Sequence, residues 1–232
     1  PKLTKDGYEE CIGTNHLGHF LLANLLQQDQ LVEGARIVVT ASSIHDPKAP
    51  GGNIDGNNGA TLGDLSGLGI RLDREPNNDT ETLPVMIDGS MEYSGTKVYK
   101  DSKLCNILFC REALKRWGGV GIKVRSFSPG FIPTSGLFRV PREQNWIKVA
   151  LFASFMRLLG VAVPVEVGGA RMAYMVTSND DEIPSGSFVS APGGSRAITK
   201  ADGFQDHPVS EEAQNDALAS QLWEASAKVV GL

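Results

Sequence analysis

The chain has 232 residues, a length that suits one large domain or at most two small ones. Apolar residues make up 41% of the chain and charged residues 21%, which supports a packed core and excludes disordered and fibrous classes. The formal charge of −5 disfavours a general nucleic-acid binder, because such proteins are usually basic. Three cysteines are too few for a disulfide framework and favour a reducing compartment.

The first predicted element is a long helix over residues 5–27, with Thr4 as its N-cap. Apolar residues recur there with a helical period. Gly13 and Gly18 inside this helix each cost about 1 kcal/mol relative to alanine, so we expect another backbone or a ligand to lie close to them. The β-branched run at 35–41 predicts a strand that is buried on both faces, as in parallel sheets.

Residues 44–92 form a long insertion rich in Gly, Asn, Asp and Pro. Their number far exceeds an ordinary connection, which indicates a functional excursion with some short structure of its own. A second long helix is predicted over residues 94–117, where a Gly-Gly pair ends it. A second strand is predicted over 122–127, where Pro129 and Gly130 close it.

The last third of the chain contains weaker signals, which predict helices at 143–159, 165–177 and 209–229 and a strand at 187–190. Alternating helices and strands predict an α/β fold with a parallel sheet, built as a single domain over residues 1–232. The most apolar stretch, 149–165, is shorter than the ~20 residues that span a membrane. We interpret it as a core-packed or lid helix, and the alternative is a surface that contacts an apolar ligand or a membrane.

Tyrosine and lysine four residues apart lie on one helix face, where the ammonium favours the phenolate and lowers the tyrosine pKa. Such a tyrosine is a better acid and base near neutral pH. The spacing occurs twice, as Tyr93 with Lys97 and as Tyr99 with Lys103. We favour the second pair because it lies inside the apolar-periodic helix. Without context, a pair of this kind is typical of a surface contact.

Three further features supply that context. Ser43 follows the first strand at the sheet edge where ligands bind in open parallel sheets, although a turn or helix-cap serine is the alternative. Asn15 lies mid-helix, where its propensity is poor, so it is expected to hold a water or a backbone carbonyl unless it is merely exposed. The turn 129–134 could present backbone groups and a hydroxyl to a nucleotide. The four histidines show no metal-ligand spacing, so no metal site is predicted.

Together and in this order, these pieces resemble the short-chain dehydrogenase/reductase family, whose members use an Asn, Ser, Tyr, Lys tetrad and a Pro-Gly turn beside the nicotinamide. The resemblance implies a Rossmann-type doubly wound parallel sheet with helices on both faces. The implied catalytic tetrad is Asn15, Ser43, Tyr99 and Lys103. The implied contacts to an NADPH cofactor are Asn15, Tyr99, Lys103, Pro129, Gly130, Ile132 and Thr134.

One branch of that family, the light-dependent protochlorophyllide oxidoreductases, is similar to this chain nearly from end to end. The stretches that carry this resemblance are Gly13–Leu22, Leu62–Leu65, Met86–Gly89, Lys97–Lys103, Gly136–Arg139, Ser210–Ala213 and Val229–Leu232. It implies light-driven hydride transfer from NADPH to C17 of protochlorophyllide, with Tyr99 delivering a proton to C18. The helices at 143–178 would lie on the substrate side. The implied location is the plastid in a eukaryote, and otherwise the cytoplasm or the thylakoid surface.

The chain departs from that branch at two places where a substrate would lie. Phe131 stands where the family usually has a cysteine, and 44–47 replace a run rich in Thr and Asn. The implied substrate contacts are Ser43, Cys105 and Phe131. The alternatives are a light-independent reductase of an apolar carbonyl or alcohol, similar to retinol dehydrogenases, and a non-catalytic pigment-binding relative. Peripheral membrane association and a homo-oligomer are left open.

A dinucleotide-binding α/β fold holds the pyrophosphate at a Gly-rich turn after its first strand. No G-x-G-x-x-G follows a strand in this sequence, which starts at Pro1. We therefore expect the chain to be the catalytic two-thirds of a Rossmann-type domain whose N-terminal strands, roughly 80–100 residues, are absent. This stretch alone is expected to bind NADPH weakly.

Overall fold

The fold is organised around a four-stranded sheet. The computed structural model describes residues 1–53, 59–71, 85–136, 143, 145–191 and 195–232. The strands, in spatial order, are β1 Arg36–Thr40, β2 Lys123–Phe127, β3 Phe188–Ser190 and β4 Gln205–Asp206. The first three strands run parallel, with Ile37 opposite Val124, and β4 runs antiparallel to β3. The predicted α/β fold with a mainly parallel sheet is confirmed.

Six α-helices flank the sheet in the described part of the chain. They are α1 Glu10–Ile12, α2 Gly18–Asp29, α3 Gly95–Trp117, α4 Trp146–Leu158, α5 Val165–Thr177 and α6 Asp216–Val230. A π-helical turn, Gly13–Leu17, joins α1 to α2, and a 3₁₀ turn, Ser43–His45, follows β1. These bounds agree with the strands predicted over 35–41 and 122–127 and with the helix predicted to end at Trp117.

The first helix begins later than the predicted residue 5. Its N-cap is Glu9 rather than Thr4, because the Glu9 carboxylate accepts the Ile12 N–H at 2.9 Å. Thr4 instead lies in the turn that precedes the helix. That turn packs against Gly13, where a Cβ atom would lie 2.7 Å from the Thr4 Cγ2 atom. Gly13 thus makes room for a side chain of the N-terminal turn, and not for the backbone or ligand that was expected there.

The C-terminal part differs from the prediction in two respects. The last helix begins at Asp216 rather than at 209, because Asn215 is its N-cap and accepts the Leu218 N–H at 3.0 Å. A separate 3₁₀ turn, Glu212–Gln214, precedes it. Strand β4 was not predicted, since it has two exposed residues and no apolar alternation.

Apolar residues fill both faces of the sheet. On one face, aromatic rings from α2, α3 and α6 form a cluster, in which Phe109 stacks on Trp223 with ring centroids 5.6 Å apart. On the other face, Met175 of α5 packs with Phe127 and Phe204. Helix α3 is buried over most of its length. The helices therefore lie on both sides of the sheet, with α3 as the central element.

The described part of the insertion is bound to α3 by a partly buried ion-pair network. Lys97 donates to Asp101 at 2.7 Å, to Asp88 at 2.9 Å and to the Thr61 carbonyl at 2.8 Å. Asp101 also accepts the Thr61 N–H at 3.0 Å. Burying these charges is favourable only because each of them is paired, so the network fixes where the insertion lies. Residues 54–58 and 72–84 of the predicted insertion lie outside the described residues.

Helix α4 exposes most of its apolar side chains. Among its 13 residues only Ala153 is buried. The exposed side chains are Trp146, Ile147, Leu151, Phe152, Phe155 and Leu158. Within the stretch 149–165, the part that lies in α4 therefore does not pack into the core, whereas Ala162 and Val163 beyond it are buried. A lid role, or contact of this apolar surface with a ligand or a membrane, stays a prediction. Across the described ranges, no helix combines the length and the apolar character needed to cross a membrane.

The buried ring of His16 predicts an acid-sensitive fold. Its Nε2 atom lies 2.7 Å from the Ser226 hydroxyl, and burial lowers the His16 pKa to about 3. Because the unfolded ring takes up a proton below about pH 6.5 and the folded ring does not, the free energy of unfolding should fall as the pH falls from about 6.5 to about 3. Urea denaturation at about pH 7 and about pH 4 measures this loss.

The matched variants are His16→Gln and His19→Gln, since His19 is exposed on the same helical run. The loss of stability on acidification should be smaller in His16→Gln and unchanged in His19→Gln. Equal losses in the wild type and both variants would contradict the assignment of the acid sensitivity to His16.

Candidate active site

The predicted site residues converge on the carboxyl end of β1. The carbonyl oxygen of Thr40, the last residue of that strand, accepts two hydrogen bonds from α3. The Lys103 ammonium donates at 3.2 Å and the Asn106 amide donates at 3.0 Å. Helix α3 also contacts the π turn that contains Asn15 and the 3₁₀ turn that begins at Ser43. These contacts place α3, the π turn and the 3₁₀ turn beside the carboxyl end of β1.

Tyr99 and Lys103 contact each other through the ring rather than through the hydroxyl. The Lys103 Nζ atom lies 5.5 Å from the Tyr99 ring centroid. Tyr99 is half-buried, and its hydroxyl forms no hydrogen bond within the described ranges. That hydroxyl can therefore donate to a bound molecule without breaking a hydrogen bond to any of the described residues.

Burial controls the titration of this pair. It raises the pKa of Tyr99 to about 12 and lowers the pKa of Lys103. The predicted lowering of the tyrosine pKa is thus wrong for this structure. The physical reason is that desolvation disfavours the phenolate, while the ammonium is directed to the Thr40 carbonyl and the ring face. Tyr99 is a neutral, protonated phenol at physiological pH.

Asn15 connects the π turn to the backbone of α3. Its amide donates to the Ser102 hydroxyl at 3.0 Å, and that hydroxyl donates to the Tyr99 carbonyl at 2.7 Å. The expected partner was a water or a backbone carbonyl, and the direct partner is instead a serine hydroxyl. Ser102 was missed in the sequence because nothing local distinguishes it from an ordinary helix serine. Its spacing of three residues from Tyr99 is the signal that could have found it.

The two serines after β1 have different roles. The Ser42 hydroxyl accepts the Ile44 N–H at 3.4 Å, so Ser42 caps the 3₁₀ turn. Ser43 is half-buried, and its hydroxyl has no hydrogen-bond partner among the residues that the structure describes. The alternative of a cap serine therefore applies to Ser42, and the Ser43 hydroxyl is available to a ligand.

The polar groups of the other Tyr–Lys pair, Tyr93 and Lys97, already form hydrogen bonds and ion pairs within the fold. The Tyr93 hydroxyl donates to Glu9 at 3.2 Å, and burial raises the Tyr93 pKa. Lys97 is held by Asp88 and Asp101. These bonds leave neither polar group available for a substrate, so the geometry favours Tyr99 and Lys103 as the reactive pair.

A buried arginine holds the Pro-Gly turn after β2. Arg171 of α5 is 1% exposed and donates to the Pro129 carbonyl at 2.8 Å, to the Ala197 carbonyl at 2.9 Å and to the Ser195 carbonyl at 2.5 Å. Gly130 has a φ of 95°, and a Cβ atom there would lie 2.6 Å from the guanidinium. The turn is thus fixed to α5 and to the segment near residue 195.

The other residues expected around the cofactor and substrate lie in different packing environments. Ile132 packs on Gly168, and Thr134 is exposed. The Phe131 ring meets the Phe152 ring of α4 edge-on, with centroids 6.0 Å apart. Cys105 is fully buried in the core, where burial raises its pKa. The structure brings Phe131 to the apolar face of α4 and does not bring Cys105 to the surface of the site.

The described residues contain no group of three or more His, Cys, Asp or Glu side chains that could hold a metal ion. The polar side chains of the site carry hydroxyls, the amides of Asn15 and Asn106, and the Lys103 ammonium. This set suits hydrogen bonding to sugar hydroxyls and to a substrate, and it suits proton transfer.

The Pro-Gly turn gives a stability prediction. Gly130→Ala places a Cβ atom against the Arg171 guanidinium at a positive φ, which should cost roughly 1–3 kcal/mol of the free energy of unfolding. Gly119→Ala is the matched control, because a Cβ atom added there would meet nothing within 4 Å and its φ is not positive. Chemical denaturation of both variants checks this difference, and equal stabilities would contradict the described packing.

Comparisons with known proteins agree on one kind of relative. No protein-family model matches the chain. Protochlorophyllide reductase B, chloroplastic, from Oryza sativa subsp. japonica is 36% identical over 237 residues, and the chloroplastic protochlorophyllide reductases of Chlamydomonas reinhardtii and Pisum sativum are each 35% identical. Each match covers 100% of this chain and 54% of the relative, so the chain spans about half the length of the curated relatives it matches.

Among solved structures, a crystal structure of an uncharacterized protein from Mycobacterium Paratuberculosis superposes with a TM-score of 0.60 at 24% identity. That match covers 99% of this chain and 62% of the other, and at this identity it shows the fold alone. Along its whole length the chain is therefore similar to a stretch that makes up about half of each of these chloroplastic protochlorophyllide reductases.

Proposed function

We propose that the chain forms the substrate-side catalytic part of an NADPH-dependent reductase that reduces the C17–C18 double bond of protochlorophyllide in light. The observation that carries the proposal is the convergence of Tyr99, Lys103, Asn15 and Ser43 on the carboxyl end of β1. The relatives are named as chloroplastic protochlorophyllide reductases, which supports this substrate and a plastid location.

The residues present fit a nicotinamide cofactor. A lysine ammonium has three donors, and Lys103 uses one of them on the Thr40 carbonyl, which leaves two for ribose hydroxyls. The Pro129–Gly130 turn is fixed by Arg171 and exposes Thr134 beyond it. When bound, NADPH would supply the hydride. Lys103 and the turn at 129–134 would hold it.

The protein's own contribution to the reaction is a positioned proton. An ordinary tyrosine already keeps its phenolic proton at physiological pH, and burial strengthens this by raising the pKa of Tyr99 to about 12. Its hydroxyl has no competing partner in the described part of the chain, so it can donate to the carbon that accepts a proton. The Asn15–Ser102 bonds fix the helix turn from which Tyr99 projects.

An apolar substrate would be accommodated on the side where α4 lies. Phe131 contacts Phe152, and the Phe131 carbonyl accepts the Val163 N–H at 2.9 Å, so the turn after β2 is joined to the segment after α4. The exposed apolar side chains of α4 extend this surface. Ligand pockets are lined mainly by such side chains, with few polar groups that fix orientation. A large flat pigment suits this surface. The same apolar face would also serve peripheral membrane association or contact with a second copy.

A second candidate function is the light-independent reduction of an apolar carbonyl. The observation that favours it is the Ser43 hydroxyl, which is half-buried, unbonded within the described residues and able to donate to a carbonyl oxygen beside Tyr99. Phe131, with its bulky ring, would narrow the substrate side of the site. In this case turnover would proceed in the dark.

Removal of the Tyr99 hydroxyl tests the proposed proton donor. Tyr99→Phe should lower kcat by at least about 100-fold, because a positioned acid contributes a factor of this order. Steady-state turnover of protochlorophyllide with NADPH under continuous light is the measurement. The matched control is Tyr93→Phe, which loses a bond to Glu9 and should stay within about 3-fold of the wild type. Wild-type turnover in Tyr99→Phe would refute the assignment.

Illumination separates the two candidate functions. The protein carrying this sequence is mixed in the dark with excess NADPH and protochlorophyllide, and absorption is recorded before and after light. The proposal predicts the red-shifted absorption of chlorophyllide only after illumination. Consumption of NADPH in the dark with an apolar aldehyde or ketone, and no chlorophyllide after light, would favour the second candidate instead.

A further inference from the structure

The His45 ring is buried between the turn that carries Ser43 and the C-terminal segment. It is 1% exposed. Its Nδ1 atom lies 2.7 Å from the Ser42 carbonyl oxygen, and its Nε2 atom lies 3.2 Å from the Ser210 backbone nitrogen. No local sequence pattern gives this residue a role, and it belongs to the stretch that departs from the family pattern.

These two contacts settle the protonation of the ring. A backbone N–H can only donate, so Nε2 accepts from Ser210 and carries no proton. Nδ1 therefore carries the proton and donates it to the Ser42 carbonyl. Burial lowers the pKa of His45, which agrees with a neutral ring. The ring thus donates one hydrogen bond through Nδ1 and accepts another through Nε2.

Other parts of the fold meet at the same residue. The His45 carbonyl accepts the Ala60 N–H of the insertion at 3.1 Å, and a Cβ atom at Gly59 would lie 2.9 Å from that carbonyl. The ring packs edge-on against Phe188 of β3, with centroids 5.3 Å apart. The turn itself is closed by the Asp46 N–H, which donates to the Ser43 carbonyl at 3.1 Å.

We propose that His45 is a positioning residue that fixes the Ser43 hydroxyl for substrate binding, through the Nδ1–Ser42 hydrogen bond. This hydrogen bond is made to the carbonyl of Ser42, the residue directly before Ser43. It closes the turn at that point and so determines the direction of the backbone at Ser43. The Nε2–Ser210 bond holds the ring in place from the other side. This inference rests on the proposed function, because the role of Ser43 toward a substrate is itself part of that proposal.

Two substitutions separate positioning from simple packing. His45→Asn can keep a donor near the place of Nδ1 but loses the acceptor for Ser210, whereas His45→Leu keeps apolar bulk and loses both bonds. Both variants should unfold more easily than the wild type. Only His45→Leu should lose about 10-fold or more in kcat/KM for protochlorophyllide, because the Ser43 hydroxyl would then be misplaced relative to the reacting substrate. His45→Asn should remain within about 3-fold of the wild type.

The dissociation constant of NADPH should be unchanged in both variants. Ile44→Val, a conservative change in the same turn, serves as the control with unchanged kinetics. A purely structural His45 would lower the melting temperature and leave kcat/KM per folded molecule intact in His45→Leu. That result would overturn the proposal, as would equal kinetic losses in His45→Asn and His45→Leu.

Hydrogen exchange keeps this test independent of the proposed function. If the wild type shows no turnover, the proposed function fails, and the exchange rate of the Asp46 amide still reports on the turn that carries Ser43. The proposal predicts faster exchange at Asp46 in His45→Leu and a rate near that of the wild type in His45→Asn. Unchanged exchange in His45→Leu would show that His45 does not hold the turn, and the proposal would be wrong.

Discussion

The shared carbonyl of Thr40 is the interaction on which the arrangement of the site depends. It is the last backbone acceptor of β1, and it binds Lys103 and Asn106 from α3 at the same time. Both side chains are buried, so losing this acceptor would leave a desolvated ammonium and a desolvated amide without compensation. The bonds therefore fix the position of α3 along the strand, and with it the position of Tyr99.

Neighbouring segments are attached to α3 by the same physical means. The insertion is bound through Lys97 and Asp101, and the π turn is bound through Asn15 and Ser102. Breaking a buried ion pair by removing one partner is strongly destabilising, because the remaining charge stays desolvated. Polar side chains on a largely buried helix thus act as fixed attachment points. The reactive groups that remain unbonded within the described residues, the Tyr99 and Ser43 hydroxyls, lie among these points.

Local patterns predict much of this fold, and long-range polar contacts account for what they miss. The apolar period of α3 and the β-branched run of β1 are encoded within each segment, so their bounds follow from the sequence. Arg171 binds three backbone carbonyls that lie 24 to 42 residues away in the sequence, and no local sequence pattern predicts such partners.

Burial explains two of the expectations that were wrong. The four-residue spacing of Tyr99 and Lys103 predicts an interacting pair, and the pair exists. The direction of the Tyr99 pKa shift depends instead on how deeply the ring is buried and on where the ammonium is directed, and both are tertiary properties. In the same way, the apolar composition of α4 indicates a helix, yet nothing in it distinguishes a core position from an exposed apolar surface.

Tyr99 is a half-buried phenol that retains its proton, and the titration of that group tests this claim directly. With ¹³C-labelled tyrosine, the Cζ chemical shift of Tyr99 is followed by NMR as the pH is raised, and Tyr99→Phe identifies the resonance. We expect the phenol to be still protonated near pH 10, the ordinary tyrosine pKa, because burial raises the pKa of Tyr99 to about 12. A phenolate that forms below about pH 8 would contradict the claim, because Lys103 would then control the phenol more strongly than burial does.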